Sequence, residues 1–234
     1  VDLIKNDTIL FIDSLSFRWK GNDVFVNTLS FSKNGRRLLI GTDQKKLWRH
    51  SFTSTFFIYD LVNKEFSPVS FQNKRLRNVK FSPNGMYVSY VRQDNNIYIF
   101  NIKSKREKQL TRTGSETLSN GHFGWLYEEE LTGYDGYRWS PDSEYISFWE
   151  ENEEMVPEFF MLNELNHYPT IKKIRYPKVG EKNPSLRLGI VRIKGAGRKW
   201  IKGGEVVDGY LPWMEWVNNC LLYTSDAADE ERGV

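Results

Sequence analysis

Hydrophobic and polar positions recur along this chain in one repeated pattern. Leu29-Ser-Phe-Ser-Lys-Asn-Gly35, Val79-Lys-Phe-Ser-Pro-Asn-Gly85 and Tyr137-Arg-Trp-Ser-Pro-Asp-Ser143 each place an aromatic residue, Phe31, Phe81 or Trp139, before a Ser and a polar turn. Each turn is followed by a β-rich run: Arg37-Leu-Leu-Ile40, Met86-Tyr-Val-Ser-Tyr-Val91 and Glu144-Tyr-Ile-Ser-Phe-Trp149. The Asn-Gly pairs offer the positive φ that a tight hairpin requires. Every unit therefore reads as strand, turn, strand. The first two units continue into a further strand pair, Phe56–Leu61 with Phe66 and Val69, then Asn96–Ile102 with Lys108–Thr111.

Phe31 lies 50 residues before Phe81, and Phe81 lies 58 before Trp139, spacings that suit propeller blades better than helical solenoids. Four short antiparallel strands per period make one blade. The strand around Ile97–Ile102 is apolar on both alternations, as expected for a sheet buried between two neighbours. A further unit opens at Tyr210-Leu-Pro-Trp-Met-Glu-Trp216. The fold class is thus all-β: an incomplete β-propeller, residues 1–219, with about three blades and the start of another. Two stretches exceed what a blade needs. Residues 114–136 form an inserted loop or short helix, and residues 151–184 read as a second, irregular excursion. Loops leaving a rigid scaffold are where binding groups tend to sit.

Composition changes this picture only in part. With 39% hydrophobic and 27% charged residues, the chain has the content of a globular protein, and its 15% aromatics favour β structure. No apolar run approaches the roughly 20 residues of a membrane-spanning helix. Val1 is not preceded by the basic and apolar regions of a signal peptide, so the sequence reads as entered mid-gene. Residues 220–234 read CLLYTSDAADEERGV, and the first eleven equal the in-frame translation of a transposon-type sequencing adapter. That tail is expected to be non-native, which removes the sole cysteine, Cys220, from any argument about thiols. It carries four acids and one base, leaving 32 basic and 26 acidic side chains in residues 1–219. An excess of that size does not define a nucleic-acid surface, and no nucleic-acid partner is expected.

The candidate chemistry lies in the first excursion. Gly124 to Leu131 reads GWLYEEEL, with Glu128, Glu129 and Glu130 side by side. Alone, such a triplet reads as a solvated helical turn. His50, His122 and His167 are too scattered for a metal site, and neither metal nor cofactor is expected. Gly195-Ala-Gly197 lacks the strand-then-helix setting of a phosphate loop, and no Gly-x-Ser-x-Gly elbow occurs.

Four ordered motifs resemble the N-terminal propeller of the dipeptidyl peptidase IV family of serine peptidases, over roughly residues 40 to 217. They are Trp125-Leu-Tyr-Glu-Glu-Glu130, Arg138-Trp-Ser-Pro-Asp142, Val156-Pro157 and Tyr176-Pro-Lys-Val-Gly-Glu-Lys-Asn-Pro184. Trp48-Arg-His-Ser-Phe52, leading into Ile58-Tyr-Asp-Leu61, is similar to the same family in the same order. The resemblance implies that Glu129 and Glu130 grip the free α-ammonium of a peptide and that Arg49 contacts a backbone carbonyl of its first two residues; Glu128 is assigned to structure. It also implies a C-terminal α/β-hydrolase domain supplying Ser, Asp and His, absent from these residues, that cuts after Pro or Ala at position two. A homodimeric parent, a bacterial source and a periplasmic or cell-surface location are further expectations from the family. Gly124 and Gly133 depart from its pattern, where relatives carry Asp and a small hydroxyl residue. A propeller that only binds protein or peptide partners stays open as the second reading.

Overall fold

The computed structural model describes residues 17–70, 75–165, 167–195, 197–207 and 209–224. Residues 1–16 of the expected domain, Ala196 of the glycine turn and residues 225–234 of the expected tail lie outside them. In chain order the first elements are β1 (Arg18–Trp19), β2 (Asn22–Asp23), β3 (Thr28–Phe31), β4 (Arg37–Lys46), β5 (Phe52–Asp60) and β6 (Glu65–Pro68). Strands β3 to β6 pair in sequence order as one antiparallel four-stranded blade. The second blade contains β7 (Arg77–Phe81), β8 (Tyr87–Val91), β9 (Ile97–Asn101) and β10 (Arg106–Gln109), again in sequence order.

The third is elaborated. A short strand β11 (Leu118–Asn120) and a helix α1 (Trp125–Leu131) precede β12 (Tyr137–Trp139) and β13 (Tyr145–Asn152). After them come β14 (Glu158–Asn163), β15 (Thr170–Arg175), β16 (Ser185–Arg192) and β17 (Arg198–Val206). The blade sheet is β12, β13, β16 and β17, with β11 added along the far half of β13. Finally β18 (Trp213–Val217) and β19 (Cys220–Thr224) form a hairpin that starts a fourth unit.

The repeated turns have one design. In the first, Ser32 Oγ accepts from Arg37 N at 2.9 Å and Asn34 Oδ1 accepts from Arg36 N at 3.2 Å, while Gly35 sits at φ 68. Ser82, Asn84 and Gly85 repeat this arrangement, as do Ser140 and Asp142, with Ser143 itself taking φ 63. Ser and Asn or Asp thus satisfy the loop's own amides, and one left-handed residue closes the hairpin.

Both faces of each blade are buried, as the double alternation predicts. From β4, Leu39 joins a core with Tyr90, Tyr98 and Phe100 of the second blade, while Leu38 and Ile40 face Phe17 and Tyr59 on the other side. From β9, Ile97 and Ile99 face the third blade, packing with Tyr137, Ile146 and Phe148. Trp149, Leu186 and Leu188 then meet Leu211 and Met214 of the fourth unit.

One expectation is corrected. Residues 151–184 are not irregular: β13 runs through Asn152, and β14 and β15 pair over six residues each. That hairpin is exposed on nearly every side chain, with Phe160, Leu162 and Ile171 among them, so no one-sided burial imposes the alternation that marks a strand in sequence. The stretch expected to derive from an adapter begins inside β19, whose Cys220 pairs with Val217.

Candidate functional site

Helix α1 is short and held from both ends. Gly124, extended at φ −78 and ψ −170, precedes it, and Thr132, left-handed at φ 55, closes it. Gly133 N donates to Tyr127 O at 2.8 Å. Leu126 and Tyr127 face inward, Tyr127 stacking on Phe123 at 4.9 Å and accepting from Leu211 N at 3.0 Å. Burial raises the Tyr127 phenol far above its ordinary value, so it stays neutral. Seven residues form no stable helix alone, so tertiary contacts hold this one.

The three glutamates meet three environments. Glu128 is fully buried, and its Oε1 accepts from His50 N at 2.7 Å and Ser51 N at 2.6 Å. Glu129 is largely buried: its Oε1 accepts from Arg49 N at 3.2 Å and its Oε2 pairs with Arg49 Nε at 2.9 Å. Glu130 is exposed, and among the described residues its side chain has no partner. The corner carrying Trp48, Arg49 and His50 is therefore fastened to α1 by two adjacent carboxylates, across about 80 residues of sequence. Arg49 keeps 67% of its side chain exposed. A cleft of about 340 Å³ adjoins this corner, with His50, Ser51, Tyr134 and Asp135 on its wall.

Below the helix lies a charge cluster that the sequence reading missed. Arg77 of β7 has Glu128 and Glu151 as charge partners, and burial lowers its guanidinium to about 10 against their pull. Glu151 of β13 is buried and accepts from Gly124 N at 2.5 Å; burial and the neighbouring Glu153 carboxylate raise its pKa well above the usual range. Burial raises Glu153 to about 7, opposed by Arg175. His122 is held neutral by burial and by the Arg77 charge. Glu150-Glu151, directly after Ile146-Ser-Phe-Trp149 in the same strand, was the available signal: a charge in a two-sided buried strand needs a partner.

The two departures differ in the space around them. A Cβ at position 124 would stand 2.1 Å from Glu153 Oε1, so Glu153 occupies the space a side chain there would claim. At Gly133 the nearest atom would be 3.4 Å away, which leaves ordinary room.

Fold and site together define a class: a β-propeller whose third blade carries an inserted acidic helix fastened to an arginine-bearing corner of the first. Residues 32–226 match the family described as "Dipeptidyl peptidase IV (DPP IV) N-terminal region", and the chain belongs to that family. It is 33% identical over 232 residues to dipeptidyl aminopeptidase B of Saccharomyces cerevisiae, covering 94% of this chain and 28% of that protein. It is 38% identical over 168 residues to the probable dipeptidyl-aminopeptidase B of Arthroderma otae, covering 65% and 18%. Among solved structures it is similar to Porphyromonas gingivalis dipeptidyl peptidase 4, with TM-score 0.85, 29% identity, and coverage of 92% of this chain and 31% of that one. The chain thus spans less than a third of the length of these relatives.

Proposed function

We propose that this chain is the substrate-gating and N-terminus-recognition portion of a serine-type dipeptidyl aminopeptidase that releases X-Pro or X-Ala dipeptides. The nucleophile, acid and base come in this reading from an α/β-hydrolase domain encoded beyond Asn219, in a homodimeric parent, and residues 220–234 are adapter-derived. Sequencing the locus past Asn219 tests both points: a stop codon directly after the fourth unit refutes the first, and continuation of CLLYTSDAADEERGV in genomic DNA refutes the second.

The observation carrying the reading is the fastening of Arg49 to Glu129 beside an unpaired, exposed Glu130. An ammonium has three N–H donors and one charge, so two carboxylates can saturate it with charge-assisted hydrogen bonds. Without it, two neighbouring carboxylates repel each other, and a bound cation relieves that repulsion. An acylated amine offers no charge and one donor, leaving a carboxylate mispaired at a cost of about 1–3 kcal/mol or more. Arg49, already half engaged with Glu129, directs its remaining donors at a carbonyl. Holding the first nitrogen then sets which peptide bond reaches the nucleophile.

In the complete protein, Glu129→Gln with Glu130→Gln should lower kcat/KM for a free-amine X-Pro amide by at least about a hundredfold, since each lost charge-assisted bond removes about 1.5–3 kcal/mol. An unchanged rate would favour a propeller that only binds partners.

A further inference from the structure

We propose that Arg77 is a positioning residue for the amine-binding helix, compensating the buried Glu128 and holding it in place through its charge and not through a direct bond. This rests on the functional reading above, because Glu128 is what brings Arg49 to Glu129.

Arg77 opens β7 in the second blade, and its Nε and Nη2 are shut off from solvent without a hydrogen-bond partner among the described residues. Two carboxylates act on its charge, Glu128 from α1 and Glu151 from β13. Each has one oxygen committed to backbone and one left over. Glu128 Oε1 holds the His50 and Ser51 amides, while Oε2 is buried and unpartnered. Glu151 Oε2 holds the Gly124 amide at the head of α1, while Oε1 is buried and unpartnered. The orphaned atoms therefore belong to three side chains from three elements, β7, β13 and α1 itself. A buried carboxylate with an unsatisfied oxygen persists only where a cation compensates it, and a guanidinium stays charged throughout the working pH range.

The surrounding titratable groups fix the charge balance. Glu151 is driven toward its neutral form by burial and by Glu153, His122 is neutral, and Arg175 faces Glu153. That leaves Arg77 and Glu128 as a buried pair of opposite sign. Glu128 in turn orders the His50 and Ser51 amides, and with them the corner that presents Arg49. A charge on β7 thereby reaches the ligand-facing pair without touching it.

The test uses the complete protein and a free-amine X-Pro amide. R77M should raise KM about tenfold with kcat changed less, because the corner that presents Arg49 is no longer held. R77K, which keeps the charge, should return KM to within about threefold. A role in packing alone would lower stability and leave KM as high in R77K as in R77M, and that result overturns the proposal. If R77M does not fold, R77M/E128Q should, because removing both charges leaves neither unpaired; failure of the double variant, or strict additivity of the two thermal shifts, also overturns it. E129Q/E130Q separates the two readings. Should that variant retain turnover, the functional reading falls, while the stability cycle between Arg77 and Glu128 still reads their coupling.

Discussion

Replacing Glu128 by alanine separates the corner from the helix without altering a residue assigned to ligand contact. Glu128 is fully buried, and one of its oxygens holds two amides at 2.7 and 2.6 Å. Alanine removes that shared acceptor. Ser51 is buried, so its N–H is left dry and unpaired, at about 1–3 kcal/mol. His50 is exposed, and its amide recovers a hydrogen bond from water at smaller cost. Arg77 simultaneously loses a compensating charge, which more than offsets the desolvation regained by deleting the carboxylate. The local opening free energy at the corner should therefore fall by roughly 2–4 kcal/mol.

Amide hydrogen exchange on the complete protein reads this directly. A loss of about 2 kcal/mol multiplies exchange at Ser51 roughly thirtyfold, while amides of Leu38 to Ile40 in the first blade should keep their protection. KM for a free-amine substrate should rise in the same variant, because the corner carrying Arg49 keeps only one of its two fastenings to α1. Glu128→Gln is the informative contrast: it keeps an acceptor for both amides and should preserve most of the Ser51 protection. Exchange at Ser51 no faster in Glu128→Ala than in the unsubstituted protein would refute the fastening role.

Other outcomes follow from single contacts. Glu153 titrates near 7 in the folded protein against an ordinary 4.5, because burial disfavours its charge more than Arg175 favours it. The folded state holds a proton that the unfolded chain has released across that window, so this group makes stability fall as pH rises from 4.5 to 7. Glu153→Gln should flatten the slope of the urea midpoint over that range, and an unaltered slope rules the assignment out. Gly114→Ala would place a Cβ 2.2 Å from Asp94 O and 2.6 Å from Asn95 O, which only backbone movement relieves; a loss of about 1–3 kcal/mol should appear in thermal unfolding. Trp149→Phe deletes the Nε1 donor to Leu211 O at 2.8 Å within a buried core, and should cost about 2 kcal/mol with faster exchange in β18.

The blades were legible because their burial is two-sided and their turns are encoded locally. Ser32, Asn34 and Gly35 make their own hairpin, so the template announces it before any tertiary contact exists. The β14–β15 hairpin was illegible for the opposite reason: with both faces open, Phe160 and Ile171 carry no phase information. At the site, the resemblance implied ligand roles for Arg49, Glu129 and Glu130 but not the ion pair that joins Arg49 to Glu129, nor the two amides that Glu128 holds. Arg77, Glu151 and Glu153 were not found, because their partners come from three separate elements and no local spacing joins them. Long-range charge compensation leaves its trace only as an acid where an apolar residue would be expected.

The triplet itself becomes intelligible from helix geometry. Successive residues on an α-helix are rotated by about 100°, so three consecutive glutamates cannot share one environment. Here the first points into the protein and is fully buried, the second lies at the boundary with 14% of its side chain exposed, and the third faces out. Their mutual repulsion is answered differently at each step: by two amides and Arg77 for Glu128, by Arg49 for Glu129, and by solvent for Glu130. One consequence is that the register of α1 matters more than its charge count. Inserting an alanine between Tyr127 and Glu128 would keep all three acids yet rotate an apolar residue onto the His50 and Ser51 amides. Such a variant should behave like Glu128→Ala in exchange at Ser51 despite its intact triplet, whereas protection equal to that of the unsubstituted protein would mean that any nearby carboxylate can anchor the corner.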